Sequence, residues 1–215
     1  TLPFSKSWLE VKGNFAHYLM DDIRFVDNTN LHHKSLYFKT TLSPTFEVIA
    51  GLDHYVQWGG NSPVFGLQPS SLSDYIKVIF GAEGGNNATA NDQGNALGNH
   101  LGTYLLQFNY NKENMGLTFY YSHPFEDTSG REMANWQDGL YGLFVDFKKE
   151  KSIVSSLLAE FTYTRDMSAS GYLSGGDSPN TISARDNYFN NGIYKSGWTY
   201  HGNTIGSPYF TPKPV

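Results

Sequence analysis

Several features that would indicate common protein classes are missing from this chain of 215 residues. Cysteine is absent, which excludes disulfide bonds and thiolate chemistry. No apolar run approaches the ~18 residues of a membrane-spanning helix, so the sequence predicts no such helix. Charged residues make up only 16% of the chain, well below the ~25% of typical soluble domains. The net charge is −5 and the only basic cluster is short, at residues 148–151, so nothing indicates nucleic-acid binding.

The arrangements that would indicate an enzyme or a metal site are missing as well. The carboxylates are scattered, and the adjacent Asp53 and His54 would face opposite sides of a strand. His32 and His33 lie in a polar stretch, and neither an HExxH motif nor an EF-hand loop occurs. We therefore expect no catalytic residue, no metal site and no cofactor.

Aromatic residues, in contrast, are abundant. They make up 16% of the chain, and tyrosine, phenylalanine, glycine and asparagine dominate while the mean hydropathy is −0.43. This composition is typical of a β-rich protein whose outer surface contacts something apolar. It also fits a glycan-binding β protein.

Alternation of apolar and polar residues predicts seven β-strands. The segments are about ten residues long, nearer to a tilted membrane-spanning strand than to the ~5–6 residues of an average globular strand. The predicted strands cover residues 9–15, 36–42, 46–56, 104–110, 115–121, 141–147 and 153–164.

Short and long connections alternate between these strands. The short ones fall at residues 43–44, 111–114 and 148–151, and the long ones at 20–33, 59–102, 123–138 and from 167 onward. Outer-membrane barrels have short periplasmic turns and long extracellular loops. The sequence thus favours an all-β, antiparallel, transmembrane outer-membrane β-barrel in the Gram-negative outer membrane, with lipid as one partner. A soluble carbohydrate-binding β-sandwich has the same alternation and remains an alternative, as does a porin or transport barrel.

The number of predicted strands is odd, whereas single-chain bacterial barrels have an even number, from eight upward. Unpaired strand edges are not tolerated in lipid. We therefore expect residues 1–215 to form a single, partial barrel domain that is incomplete at its C-terminus.

Two segments have neither strand nor helix periodicity over most of their length, and we expect them to form long loops or plugs. They are residues 59–102, with a short helix at 74–80 capped by Ser73, and residues 165–215. The second contains an aromatic, glycine-rich stretch at 186–210. It is too polar to face lipid, so we expect it to fold into the barrel mouth or lumen.

Four short motifs carry a resemblance to a known family. They are HYVQWGG at residues 54–60, QPSS at 68–71 followed by Asp74 and Tyr75, GNHLG at 98–102, and SGWTYHG at 196–202. With these motifs, the chain resembles the Wzi-type capsule-assembly proteins from about residue 15 to its end. The resemblance implies a large outer-membrane barrel that holds or assembles capsular polysaccharide, acts like a lectin and is not an enzyme. Surface polysaccharide and other outer-membrane proteins are the partners it implies.

Glycan binding requires aromatic rings that stack on sugar faces and planar polar groups that bond hydroxyls. Tryptophan and tyrosine supply the rings, and amide, carboxylate, guanidinium and imidazole groups supply the bonds. The candidate polysaccharide-binding residues are Gln57, Trp58, Asn135, Trp136, Arg185, Asp186, Asn187, Trp198, Tyr200 and His201.

Overall fold

The main element of the fold is an antiparallel sheet of seven long strands, each paired with the next long strand along the chain. The computed structural model describes residues 8–126, 128–131, 133–148, 153–165 and 188–205. Its strands are β1 (Leu9–Leu19), β2 (Asn30–Ser43), β3 (Phe46–Trp58), β4 (Asn61–Ser62), β5 (Gly66–Leu67), β6 (Asn99–Asn111), β7 (Gly116–Phe125), β8 (Gly139–Asp146), β9 (Ser156–Tyr163), β10 (Thr199–Tyr200) and β11 (Asn203–Thr204). Its helices are α1 (Leu72–Phe80), α2 (Ala90–Gln93) and α3 (Thr128–Arg131).

The predicted all-β, antiparallel architecture and the seven strands are confirmed, but several strands extend further than predicted. β2 begins at Asn30, β6 begins at Asn99 and β7 continues to Phe125, so the segment 59–102 is a connection only as far as Gly98. Polar residues such as His32 and His123 occupy these extensions and are buried beneath the connections. The alternation pattern ended there because these polar side chains look like loop residues in the sequence.

The order of the sheet is β1-β2-β3-β6-β7-β8-β9. Within the part of the chain that the structure describes, β1 and β9 each pair on one side only, so the sheet has two edges. Among the described residues, no helix is long and apolar enough to cross a membrane.

The strand register sorts the side chains onto two chemically different faces. Residues paired side by side across the seven strands form rows that run across the sheet. In one such row every residue is apolar, and in the adjacent row, whose side chains point to the opposite face, most residues are polar. We call these the apolar face and the polar face. The first row contains Val11, Phe38, Ala50, Leu106, Tyr121, Tyr141 and Phe161, and the second contains Glu10, Lys39, Ile49, Gln107, Tyr120, Gly142 and Glu160.

Large side chains on the apolar face are exposed from the middle of the sheet to the short turns. The other sheets in the described residues are two pairs of two-residue strands, which are too small to cover these side chains. The exposed residues include Leu36, Phe38, Leu106, Phe119, Leu143, Leu157 and Phe161.

On the polar face, a glycine makes room for an aromatic ring on the neighbouring strand. A Cβ atom at Gly142 would lie 2.0 Å from the Tyr120 ring. The Tyr120 hydroxyl crosses over this glycine and donates to the Glu160 carboxylate on the next strand. Glycine is therefore required at position 142 for the ring to lie flat on the sheet.

Helix α1 covers the apolar face at the end of the sheet where the long connections lie. Ser71 caps the helix and forms a capping box with Asp74, so the prediction that Ser73 is the cap was wrong by two residues. Gly81 ends the helix in a left-handed conformation. Val78 packs against Val56 and Trp58, and these contacts fix the helix on this face.

Asp92 makes the connection between β5 and β6 sensitive to pH. Its carboxylate is buried and accepts the Gly98 backbone N–H at 3.4 Å. Burial raises the pKa of Asp92 to about 6. Because the folded state favours the neutral carboxyl group, its stabilising effect is complete below the unfolded-state pKa of about 4. That effect is lost as the pH rises through about 6.

We therefore expect the melting temperature to fall between pH 4 and pH 7 more steeply in the wild type than in Asp92→Asn. The exposed Asp22 supplies the control, since Asp22→Asn should keep the wild-type slope. Identical slopes in the wild type and Asp92→Asn, measured by circular dichroism, would contradict this assignment.

Candidate functional site

Residues 188–205 pack on the polar face at the loop end of the strands, and we call them the mouth segment. The Gln57 side chain donates to the Gly197 carbonyl at 2.9 Å and accepts from the Asn99 side chain at 3.0 Å. Trp198 is buried and meets the Tyr55 ring edge-on at a centroid distance of 6.5 Å. Side chains of the central strands thus anchor the mouth segment.

A second anchor comes from the connection between β1 and β2. The Arg24 guanidinium donates to the Thr199 carbonyl at 2.5 Å and to the Gly197 carbonyl at 2.9 Å. It also forms a buried ion pair with Asp21 at 3.2 Å. A planar guanidinium can bind three acceptors in fixed directions, so this one side chain fixes the position of the mouth segment.

Asp21 completes this anchor by accepting from the mouth segment itself. Burial favours the neutral carboxyl group, but the His201 backbone N–H and Arg24 outweigh that effect and lower the pKa of Asp21 on balance. The carboxylate is therefore ionised at neutral pH and holds the backbone at His201 in place.

The tip of the mouth segment is a tight hairpin with two exposed rings. Strands β10 and β11 are joined by His201 and Gly202, both with positive φ angles of 47° and 75°. Positive φ at both loop residues is typical of a type I′ turn, which favours glycine at the second position. Tyr200 is 47% exposed, and its ring meets the His201 ring edge-on at a centroid distance of 4.4 Å.

The other end of the mouth segment is attached to the connection between β7 and β8. The buried Tyr188 hydroxyl donates to the Asp138 carboxylate at 2.8 Å and accepts from the Asn135 amide. Trp136 lies between the buried Asn135 and Asp138 in the sequence, yet it is 60% exposed. The contacts of its neighbours hold the Trp136 backbone while its ring stays accessible.

Below Tyr188, the polar face contains a groove of about 240 Å³. Its lining includes the hydroxyl groups of Thr103, Ser122 and Thr162 and the carboxylate of Glu160, with the Phe189 ring at one side. Hydroxyl and carboxylate groups bond to ligand hydroxyls, and the ring offers an apolar surface. This chemistry suits a ligand rich in hydroxyl groups.

A pair of buried histidines lies on the opposite, apolar face. His100 donates through Nε2 to the Leu97 carbonyl at 3.0 Å, and its Nδ1 is hydrogen-bonded to His54 Nε2 at 2.9 Å. Within the described ranges, no group of three or more His, Cys, Asp or Glu side chains could hold a metal ion.

The structure divides the sequence-predicted site residues into a buried and an exposed set. Gln57, Asn135 and Trp198 are buried within the anchors of the mouth segment, and Trp58 is buried on the apolar face, stacked on Tyr75 of α1. The exposed candidates at the loop end are Trp136, Tyr200 and His201. The remaining candidates, Arg185, Asp186 and Asn187, lie outside the described residues.

Sequence reasoning missed several residues that build this region. The alternation of the strand at 104–110 put Thr103 on the polar face and could have indicated the groove. Nothing in the sequence singled out Arg24, because its three acceptors come together only in the folded chain. Tyr188 was missed for the same reason.

The fold makes this chain an antiparallel all-β protein. Its sheet has one apolar and one polar face, and folded connections cover one end of the strands. Residues 2–212 match the family model described as capsule assembly protein Wzi, so the chain belongs to this family. Family membership supports a role in capsule assembly. No curated protein and no solved structure matches the chain.

Proposed function

We propose that this sheet is part of the wall of an outer-membrane β-barrel that binds capsular polysaccharide and does not alter it chemically. The observation that carries the proposal is the sorting of side chains into an exposed apolar face and a polar face across all seven strands. In the barrel, the apolar face contacts lipid and the polar face lines the lumen.

The exposure of the apolar face favours this arrangement over a soluble β-sandwich. Burying apolar surface stabilises a protein by about 25 cal/mol per Å², so seven large exposed side chains would be costly in water. A sandwich would cover them with a second sheet. The described residues supply no such sheet, whereas lipid would cover the same surface.

The position of the mouth segment favours a binding barrel over an open porin. The segment lies on the polar face, which is the lumenal side in this arrangement, and is anchored there by Gln57 and Arg24. We therefore expect low ion conductance for the full-length protein in planar bilayers.

We place the polysaccharide contacts at the loop end, where Trp136, Tyr200 and His201 are accessible from outside. Arg185, Asp186 and Asn187 directly precede the mouth segment and belong to the proposed site. The groove beside Phe189 supplies further hydroxyl partners. Glu160 is the only carboxylate among its lining residues, whereas glycoside hydrolysis generally uses two, and this supports binding without catalysis.

Removing one exposed ring should weaken polysaccharide retention without unfolding the protein. We expect Trp136→Ala and Tyr200→Ala each to lower the amount of capsular polysaccharide retained on cells about fivefold, equivalent to ~1 kcal/mol per ring. Retention is measured by quantifying cell-bound and released polysaccharide in a strain producing the full-length variant.

Trp8 provides a matched control for this experiment. It is 68% exposed, like Trp136, but it precedes β1 and lies at the short-turn end of the sheet. Trp8→Ala should retain polysaccharide at the wild-type level. Equal losses in all three variants would show a general effect of surface aromatics, and unchanged retention in Trp136→Ala and Tyr200→Ala would reject the proposed site.

A further inference from the structure

A second cavity lies on the apolar face, between the sheet and the C-terminal end of α1. It has a volume of about 210 Å³ and is separate from the groove on the polar face. Leu52 and Tyr104 form its floor on the sheet, and Ile79 and Phe80 of α1 form one side. The cavity therefore opens where the exposed apolar surface of the sheet meets the folded connections.

Two cationic side chains line this cavity. Lys34 projects from β2 on the apolar face, and Arg131 approaches from the end of α3. Neither forms an ion pair with any residue of the described ranges. Arg131 donates to the carbonyls of Phe80 and Gly81 at 3.3 and 3.2 Å, which hold its guanidinium at the end of the helix.

Apart from Lys34 and Arg131, few charged groups line the cavity. Glu126 is the only carboxylate among the lining residues, and it accepts from the Phe189 backbone N–H. His54 and His100 also line the cavity, where they bond to each other and His100 bonds to the Leu97 carbonyl. Two cations against one carboxylate leave a net positive cavity beside an apolar surface.

The outward side of α1 carries an apolar stripe that runs to this cavity. Leu72, Ile76 and Phe80 follow each other at a spacing of four residues and are 76%, 51% and 74% exposed. Residues at this spacing lie on one side of a helix. Phe80 belongs to both the stripe and the cavity lining, so the apolar and the cationic surfaces are continuous.

We propose that this cavity and the stripe on α1 bind a phosphorylated, multiply acylated lipid of the outer leaflet. Lys34 and Arg131 bind the phosphate, and the acyl chains lie along Leu72, Ile76 and the apolar face of the sheet. Charge-assisted bonds from lysine and arginine are well suited to phosphate oxygens. The inference depends on the membrane placement in the proposed function but concerns the outer wall, away from the polysaccharide contacts.

Native mass spectrometry of the full-length protein in detergent micelles tests this inference, with diphosphorylated lipid A as the probe. We expect lipid A to bind the wild type and its affinity to fall at least tenfold in the double variant Lys34→Gln/Arg131→Gln. The single variant Lys34→Gln, which leaves the Arg131 contacts intact, should lose at least threefold. The charge-conserving double variant Lys34→Arg/Arg131→Lys should stay within threefold of the wild type.

The control variant Lys12→Gln/Arg165→Gln removes the same two charges from exposed positions. Lys12 lies on the polar face of β1, and Arg165 follows β9. This control should bind lipid A as the wild type does. Equal losses in both double variants would show a net-charge effect and overturn the inference.

Two further ligands identify which part of the lipid is recognised. Lipid A stripped of its phosphates should bind at least tenfold more weakly than the intact lipid, and inorganic phosphate alone should not compete with lipid A. Effective competition by inorganic phosphate would overturn the lipid assignment. Polysaccharide retention by the Lys34→Gln/Arg131→Gln variant should be unchanged, so a failure of this inference is distinguishable from a failure of the proposed function.

Discussion

Replacing Arg24 with alanine is expected to lower the free energy of unfolding by about 3 kcal/mol. The substitution removes both hydrogen bonds to the Gly197 and Thr199 carbonyls and leaves the buried Asp21 carboxylate without its cationic partner. Breaking a buried ion pair by removing one partner typically costs 3–5 kcal/mol. We choose the lower end because the remaining Asp21 keeps the His201 backbone N–H as a partner.

Denaturant unfolding of the full-length protein in detergent micelles measures this loss. Arg165→Ala removes an exposed arginine and should change the free energy by less than about 0.5 kcal/mol. Arg24→Lys keeps the charge but cannot reach all three acceptors, so we expect an intermediate loss. If Arg24→Ala is as stable as Arg165→Ala, then Arg24 does not anchor the mouth segment.

The second large effect is expected for Trp198→Ala, again about 3 kcal/mol in the free energy of unfolding. The Trp198 ring is only 4% exposed and packs beside Tyr55 within the anchored part of the mouth segment. Truncating a buried tryptophan leaves a cavity and typically costs 3–5 kcal/mol. Polysaccharide retention should fall with stability, because the hairpin that presents Tyr200 loses its support.

Comparison with Trp136→Ala separates a structural role from a binding role. Trp136 is exposed, so its substitution should lower retention while the free energy of unfolding changes by less than about 0.5 kcal/mol. Trp198→Ala should lower both quantities. A Trp198→Ala variant of wild-type stability that has lost retention would instead make Trp198 a binding residue.

The strands could be predicted from the sequence because their side chains alternate between two different environments. This pattern ended at His32, Asn99 and His123, where the strands continue beneath folded connections and polar side chains are buried against partners. Alternation of apolar and polar residues reveals a strand only where one face is apolar and the other polar. At these positions both faces carry polar residues, so the pattern is lost. The strand ends could therefore be located only from the structure.

The candidate site was less predictable, because tryptophans look alike in sequence whatever their burial. Trp58 and Trp198 are buried on opposite faces of the sheet, whereas Trp136 is exposed. Which rings remain accessible depends on contacts between distant segments, such as Gln57 with Gly197 and Asn135 with Tyr188. No local pattern encodes those contacts.

The two segments predicted to form loops or plugs lie on opposite faces. The mouth segment covers the polar face, and α1 of the 59–98 connection covers the apolar face. Apolar residues occur on both sides of α1, because Val78 packs on the sheet while Leu72, Ile76 and Phe80 are exposed. The sequence alone therefore could not show that α1 would leave a second apolar stripe exposed.

Site-directed spin labelling of two neighbouring residues on β6 tests the central claim, that one face of this sheet contacts lipid. The chain contains no cysteine, so Leu106→Cys and Gln107→Cys each introduce a single labelling site in it. The full-length variants are reconstituted in phosphatidylcholine vesicles, and the accessibility of each label to oxygen and to a water-soluble nickel chelate is measured. We predict that the label at 106 is relaxed mainly by oxygen, as in lipid, and the label at 107 mainly by the chelate. Preferential access of the nickel chelate to the label at 106 would contradict the membrane placement of the sheet.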